Sequence, residues 1–173
     1  MADFDLFVVG GGSGGVAIAA CEQCPDLVAT VLELPSITPV TEMIVGEANL
    51  GDRVAVKSHD IVAAPPQTPC DVAILRALLQ VLDPEAARRA VINVGQAMET
   101  GGMICILSRV LADSRLEPVQ TVAQNLVFLN IYDGGQAFTE GEYRGWLDEA
   151  GFADFEMFGR PDGRSVITAQ KRD

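Results

Sequence analysis

Histidine is nearly absent from this 173-residue sequence and cations are scarce: there is one His, and 12 Lys and Arg stand against 24 Asp and Glu, for a formal net charge of −12. No Lys/Arg cluster in the chain could follow a phosphate backbone, so nucleic acid is not an expected partner. No apolar run reaches the ~18 residues that a membrane span needs, and no basic segment followed by an apolar stretch and a cleavage site opens the chain. A soluble, cytoplasmic protein with no membrane partner is the expectation. A metal site is not expected. Cys21 and Cys24 form a C-x-x-C, but Cys70 and Cys105 lie far apart in apolar runs and His59 is the only histidine. Redox pairs usually sit at a helix N-terminus, where the dipole lowers the thiol pKa, whereas this pair falls at the end of a helical segment. Ordinary reduced cysteines follow.

Apolar residues, by contrast, make up 49% of the chain, enough for one sizeable core and one domain over residues 1–173. That domain is organised around Phe4 to Glu33: an apolar strand (Phe4 to Val9), a glycine run (Gly10, Gly11, Gly12, Ser13, Gly14, Gly15), a small-residue helix (Val16 to Glu22) and a second apolar strand (Ala29 to Glu33). This is a βαβ unit. Its glycines stand where the helix begins, so backbone N–H groups and the positive end of the helix dipole face the space beyond the first strand. Gly10, Gly12 and Gly15 satisfy G-x-G-x-x-G, and Glu33 at the second strand's tip is placed to accept hydrogen bonds from two ribose hydroxyls. The unit binds an adenosine-containing ligand; dinucleotides and S-adenosylmethionine both remain open. As an exposed strand-tip acid, Glu33 should matter for ligand affinity and little for stability.

Farther along, Pro35 suits the first turn of a helix through Thr41, Met43, Ile44 and Ala48. Arg53 to Ser58 has the β-branched content of a third strand, and Cys70 to Leu75 reads as a fourth, buried on both faces. Asp83-Pro84-Glu85 begins an amphipathic helix carrying Ala87, Ala90, Val91, Val94 and Met98. Met103 to Leu107 is another buried strand. Pro118 to Tyr132 reads as a helix so apolar after Val122 that most of it should be covered. Thr139 and Glu142 form a capping box ahead of Tyr143, Trp146, Leu147 and Ala150 on one face, with Gly151 ending the helix.

The tail differs in kind. Phe152 to Phe158 and Ser165 to Ala169 are joined by the short turn Gly159-Arg160-Pro161-Asp162-Gly163, so they must pair antiparallel, a parallel return needing a dozen residues or more. A dinucleotide-binding domain is wholly parallel. The predicted fold is therefore α/β, a doubly wound, mostly parallel sheet of the seven-stranded type with a C-terminal antiparallel hairpin, which resembles a class I, Rossmann-like methyltransferase. An NAD-dependent oxidoreductase, supported by G-x-G-x-x-G alone, remains the enzyme alternative.

Val8 to Gly15, Leu32-Glu33-Leu34-Pro35, His59-Asp60-Ile61, the strand after Gly101-Gly102 and Ala150-Gly151-Phe152 resemble, in order and spacing, the motifs of the small-molecule O-methyltransferases that act on caffeic acid, hydroxyindoles and polyketides. Two departures are that Val8 and Glu33 stand where the family has Asp. The resemblance implies S-adenosylmethionine as cofactor, S-adenosylhomocysteine as product, and a small aromatic or polyketide-like methyl acceptor of secondary metabolism. It implies that Gly10, Gly11 and Gly12 cradle the methionine moiety, Glu33 holds the ribose, Asp60 and Ile61 flank the adenine, Leu34 lies against its face and Arg76 is near the cofactor. It further implies an N-terminal helical dimerisation domain, which this chain does not contain, and a homodimer for the full-length protein.

The family's general base is another matter. Gln80 occupies the position of its histidine, while Ser108 and Ala137 replace two Glu that orient it; Gln80 cannot accept a proton at neutral pH. Catalytic residues are thus not assigned by the resemblance. Gln80 and Tyr132 are candidates to position an acceptor by hydrogen bonding, and Arg109 to stabilise its anion. The joint loss of these groups also motivates a non-catalytic, adenosyl-ligand-binding domain. His59, beside Asp60, is expected to be a solvent-facing residue at a strand end.

Overall fold

A computed structural model describes residues 5–160 and 163–173. Phe4, expected to begin the first strand, and Pro161 and Asp162 of the expected hairpin turn lie outside the described residues. Strands β1 (Leu6–Val9), β2 (Ala29–Glu33), β3 (Val54–Ser58), β4 (Cys70–Arg76) and β5 (Met98–Leu111) pair in parallel in the order β3-β2-β1-β4-β5. Beyond β5 the sheet continues with β8 (Arg164–Lys171) and then β7 (Phe152–Gly159), both new pairings antiparallel, and the two-residue β6 (Phe138–Thr139) pairs with the end of β5. The tail hairpin is as the short turn requires, with β8 the one strand running against the rest.

Helices α1 (Gly15–Gln23) and α2 (Thr38–Glu47) contribute Ala17, Cys21 and Val45 to a core on one face of the sheet, against Val8, Val31 and Val54. The other face is covered by α3 (Pro84–Ala97) and α5 (Glu140–Glu149), which pack Ala87, Val91, Val94, Tyr143, Trp146 and Leu147 on Leu75, Ile104 and Ile106. Local chemistry fixes where α3 and α5 begin. Asp83 Oδ1 accepts from the N–H groups of Glu85 and Ala86 at 2.9 Å each, and the Thr139/Glu142 capping box forms as its sequence specifies. Phe138, Tyr143 and Trp146 then meet edge to face, with centroids 4.8–6.2 Å apart.

Two expectations need correction. Helix α2 begins at Thr38 rather than after Pro35: the Leu34 carbonyl accepts from the N–H groups of Ile37 and Thr38, which spends Pro35 in a turn and makes Pro39 the first-turn proline. Helix α4 (Val119–Ile131) is not covered. It touches the end of β5 through a small cluster of Phe128, Leu111 and Ala137, while Leu126, Leu129 and Ile131 remain 62%, 53% and 67% exposed. Among the described residues, no helix is long and apolar enough to cross a membrane.

Candidate active site

Open α/β sheets bind ligands beyond the carboxyl ends of their strands, where the strand order reverses. Here that point lies between β1 and β4. A cleft opens there, lined by Gly10 after β1, Glu33 at the tip of β2 and Leu34 after it, His59, Asp60 and Ile61 after β3, and Ala77 and Leu78 after β4. Of the eight sequence-predicted cofactor residues, Gly10, Glu33, Leu34, Asp60 and Ile61 thus share one wall. Gly11 and Gly12 do not line it, and Arg76 opens instead into an adjoining cleft.

The glycine loop needs its glycines for backbone reasons: φ is +65° at Gly10, +54° at Gly12 and +75° at Gly14. A Cβ on Gly12 would meet nothing within 4 Å, so the space above the loop is open to a ligand. Gly12 is held on both sides. Its N–H donates to Glu33 Oε1 at 2.6 Å, and its carbonyl accepts from the hydroxyl of Thr41, a fully buried residue of α2. Glu33 Oε2 accepts in turn from Leu34 N–H at 2.9 Å.

The expectation that Glu33 is an exposed acid of little structural weight is therefore wrong. The residue is only 9% exposed and ties the glycine loop to the end of β2. A carboxylate offers about four lone-pair sites, and the Gly12 and Leu34 N–H groups occupy two of them. Together with the open space over Gly12, this fits an adenosyl ligand. Asp60 Oδ1 caps the following turn through Val62 and Ala63 N–H, and Asn93 of α3 donates to the Ile61 carbonyl at 2.7 Å, fixing the far side of the cleft. His59 is half-buried rather than solvent-facing, with Nε2 2.9 Å from the Ala64 carbonyl.

The second cleft, about 410 Å³, is within the usual range for small-molecule pockets and shares Ala77 with the first. Ala77 has φ +56°, an uncommon conformation for a residue with a Cβ, and its N–H donates to the Leu107 carbonyl at 3.0 Å. Gln80, from the 3-10 turn Leu79–Val81, and Ser108 of β5 meet across this cleft: the Ser108 hydroxyl donates to Gln80 Oε1 at 2.8 Å and accepts from the Tyr143 hydroxyl at 2.9 Å. Burial pushes the Tyr143 phenol well above its ordinary pKa, partly offset by the Ser108 hydrogen bond. Arg76, Arg109, Arg160 and Arg164 complete the wall.

Of the other candidates, Ala137 is buried, with its N–H donating to Asn125 Oδ1 at 2.6 Å. Tyr132 stacks at a tilt on Phe128 and does not line the cleft. Sequence reasoning did not single out Thr41, Ala77, Tyr143, Arg160 or Arg164 as site residues. The four cysteines are free, and among the described residues no group of His, Cys, Asp or Glu could hold a metal ion.

Residues 3–153 match the O-methyltransferase domain. The chain belongs to that family. Among curated proteins, the domain is 27% identical over 165 residues to 3-hydroxy-5-methyl-1-naphthoate 3-O-methyltransferase of Streptomyces sahachiroi, covering 94% of this chain and 48% of that protein. It is 29% identical over 158 residues to L-tyrosine C(3)-methyltransferase of Streptomyces lavendulae, covering 91% and 43%. Among solved structures, human N-acetylserotonin methyltransferase in complex with SAM superposes with a TM-score of 0.85 at 22% identity, over 98% of this chain and 48% of that one. The chain spans about half the length of the curated relatives it matches. These relatives are methyltransferases, and none supports the oxidoreductase reading of the glycine motif.

Proposed function

We propose that this domain binds S-adenosylmethionine in the cleft beyond β1, β2 and β3 and transfers its methyl group to a small, aromatic or polyketide-like acceptor in the cleft beyond β4 and β5. The observation that carries the reading is the junction of the clefts at Ala77, with a strand-tip carboxylate and an open glycine loop on one side and hydrogen-bonding side chains on the other. Gly10, Gly11 and Gly12 shape the floor, Glu33 takes the ribose hydroxyls with its remaining lone pairs, Leu34 and Ile61 enclose the adenine, Asp60 flanks it, and Arg76 stands where the clefts meet. When bound, the sulfonium supplies an electrophilic methyl group and a neutral thioether leaving group.

The chain's own residues then have one task, to hold the acceptor oxygen in line at the Ala77 boundary and keep water out. Positioning of this kind is worth up to about 7–11 kcal/mol of a barrier, against roughly 10²–10⁴-fold for a general base. Gln80 cannot be that base. The acceptor must lose its proton to solvent or arrive ionised. A relative of this family methylates a hydroxynaphthoate and another a tyrosine carbon, so oxygen as the methylated atom rests on the family's description.

Parallel calorimetry with S-adenosylhomocysteine and NAD tests the reading: micromolar binding of the first and none of the second is expected, and the reverse overturns it. The Gln80–Ser108 pair also favours a second reading, a domain that binds the adenosyl ligand without catalysis; methyl transfer from labelled S-adenosylmethionine to any phenol by the full-length protein would exclude it. For that full-length protein we propose a homodimer with a helical dimerisation domain, supported by the exposed apolar residues of α4. Light scattering reads the state directly.

A further inference from the structure

Resting on that reading of the second cleft, we propose that its acceptor is an anion, an aromatic carboxylate or a phenolate, seated on Arg76, Arg160 and the amide N–H of Gln80. The orientation of that amide follows from a chain of obligations. Tyr143 is fully buried, its O–H must donate, and Ser108 Oγ is the acceptor it reaches at 2.9 Å. Ser108, having accepted, turns its own proton to Gln80 Oε1 at 2.8 Å. With its oxygen engaged, Gln80 presents Nε2, a donor, to the cleft. A site that offers donors at the position where proton removal would be needed selects an acceptor that already carries negative charge.

The charge distribution points the same way. Ten arginines serve a chain of net charge −12. Four of them, Arg88, Arg115, Arg144 and Arg172, form surface ion pairs with Glu or Asp. Four others line this cleft, and no Asp or Glu among the described residues lines it with them. Arg109 and Arg164 face each other in the β5–β8 register and have contacts of their own, so the inference does not lean on them. Arg76, at the end of β4, and Arg160, after β7, have no ion-pair partner among the described residues. Gathering like charges that could have been spread over an acidic surface costs folding energy, and an anion between them recovers it. Guanidinium groups are also the side chains that grip a carboxylate with paired donors.

The test compares 1-naphthoate with naphthalene-1-carboxamide, two probes of one shape that differ in charge. Binding of each to the 173-residue chain is measured by ligand-observed NMR with and without saturating S-adenosylhomocysteine. The naphthoate should bind at least about tenfold more tightly, the increment of one charge-assisted hydrogen bond or more. That preference should shrink towards unity in Arg76→Ala/Arg160→Ala, fall in Gln80→Glu, and weaken as salt rises from 0.05 to about 0.5 M. Equal affinity of the two probes, no binding of either, or a preference unchanged in the double variant overturns the proposal. The two readings fail separately: loss of S-adenosylhomocysteine binding in the parent chain sinks the methyltransferase reading, while the charge preference is read in its absence as well. Unchanged melting temperatures of the variants, whose substituted arginines are exposed, show that the fold is intact.

Discussion

The two clefts that meet at Ala77 are built in opposite ways. The first cleft draws its wall from strand tips and the residues that directly follow them, each a short contiguous motif: Gly10, Glu33-Leu34, His59-Asp60-Ile61 and Ala77-Leu78. Its polar groups are spent on backbone, so that the carboxylate of Glu33 ties the glycine loop to the strand end. The second cleft is assembled from three stretches far apart in sequence: Arg76 and Gln80 meet Ser108 through the β4–β5 pairing, and the insertion of β8 beside β5 brings in Arg160. Its polar groups bond side chain to side chain.

Between the two clefts, the larger effect should come from breaking the tie in the first. Glu33→Ala leaves the part-buried N–H groups of Gly12 and Leu34 without their acceptor, a loss of about 1.5–3 kcal/mol of stability for hydrogen bonds to a charged group. S-adenosylhomocysteine affinity should fall by one to two decades as well. Glu33→Gln is not a mild substitute, because one of its two positions becomes an NH₂ facing a backbone donor; it should lose stability too. Urea unfolding without ligand separates the contributions: a parent-like midpoint for Glu33→Ala would return the residue to a purely ligand-binding role.

A smaller effect, about 0.5–1.5 kcal/mol, is expected for Tyr143→Phe behind the second cleft, since it removes one neutral hydrogen bond and leaves the ring packing in place. Its pH dependence sharpens the comparison. The phenol's folded pKa is raised above the ordinary value near 10, so its neutral form is held by the fold. The stabilisation is complete below pH 10 and is lost above it, as the unfolded chain releases a proton that the folded chain keeps. Cys70, pushed up to about 12 by burial and then by Asp71, adds the same sign of slope from pH 9 upward. Unfolding free energy at pH 8, 9.5 and 10.5 should therefore fall in the parent, and less steeply above pH 10 in Tyr143→Phe. Equal slopes would mean that the hydroxyl ionises freely in the folded protein.

This asymmetry also explains what the sequence discloses. The strand tips, helix caps and tail hairpin follow from local rules, so G-x-G-x-x-G, the Glu33 position, the Asp83 cap and the Thr139/Glu142 box are readable in linear order. The burial of Glu33 is not, because its partner Gly12 lies 21 residues away in sequence, in a loop whose Gly12 carbonyl is held in turn by Thr41 of α2. The arginine wall left no linear cluster at all. Gln80 and Ser108 were singled out for lacking the chemistry of a base, while their hydrogen bond to each other depends on β5 running past the 3-10 turn.

Helix α4 should show the smallest effect on the isolated domain, and its contrast with α5 decides what its apolar residues are for. Leu147 of α5 is 2% exposed, so Leu147→Ala should cost about 2–5 kcal/mol through lost transfer energy and a cavity. Leu126 and Leu129 of α4 are more than half exposed, and Leu126→Ser with Leu129→Ser should shift stability by no more than about 0.5 kcal/mol each. The proposed homodimer would give this exposed apolar stretch a surface to pack on. In the full-length protein the same pair of substitutions should therefore be costly, lowering the melting temperature by several degrees or releasing monomers on light scattering. A large loss already in the 173-residue chain would show that α4 is packed within the domain. No change in either form would leave the homodimer without support from this face.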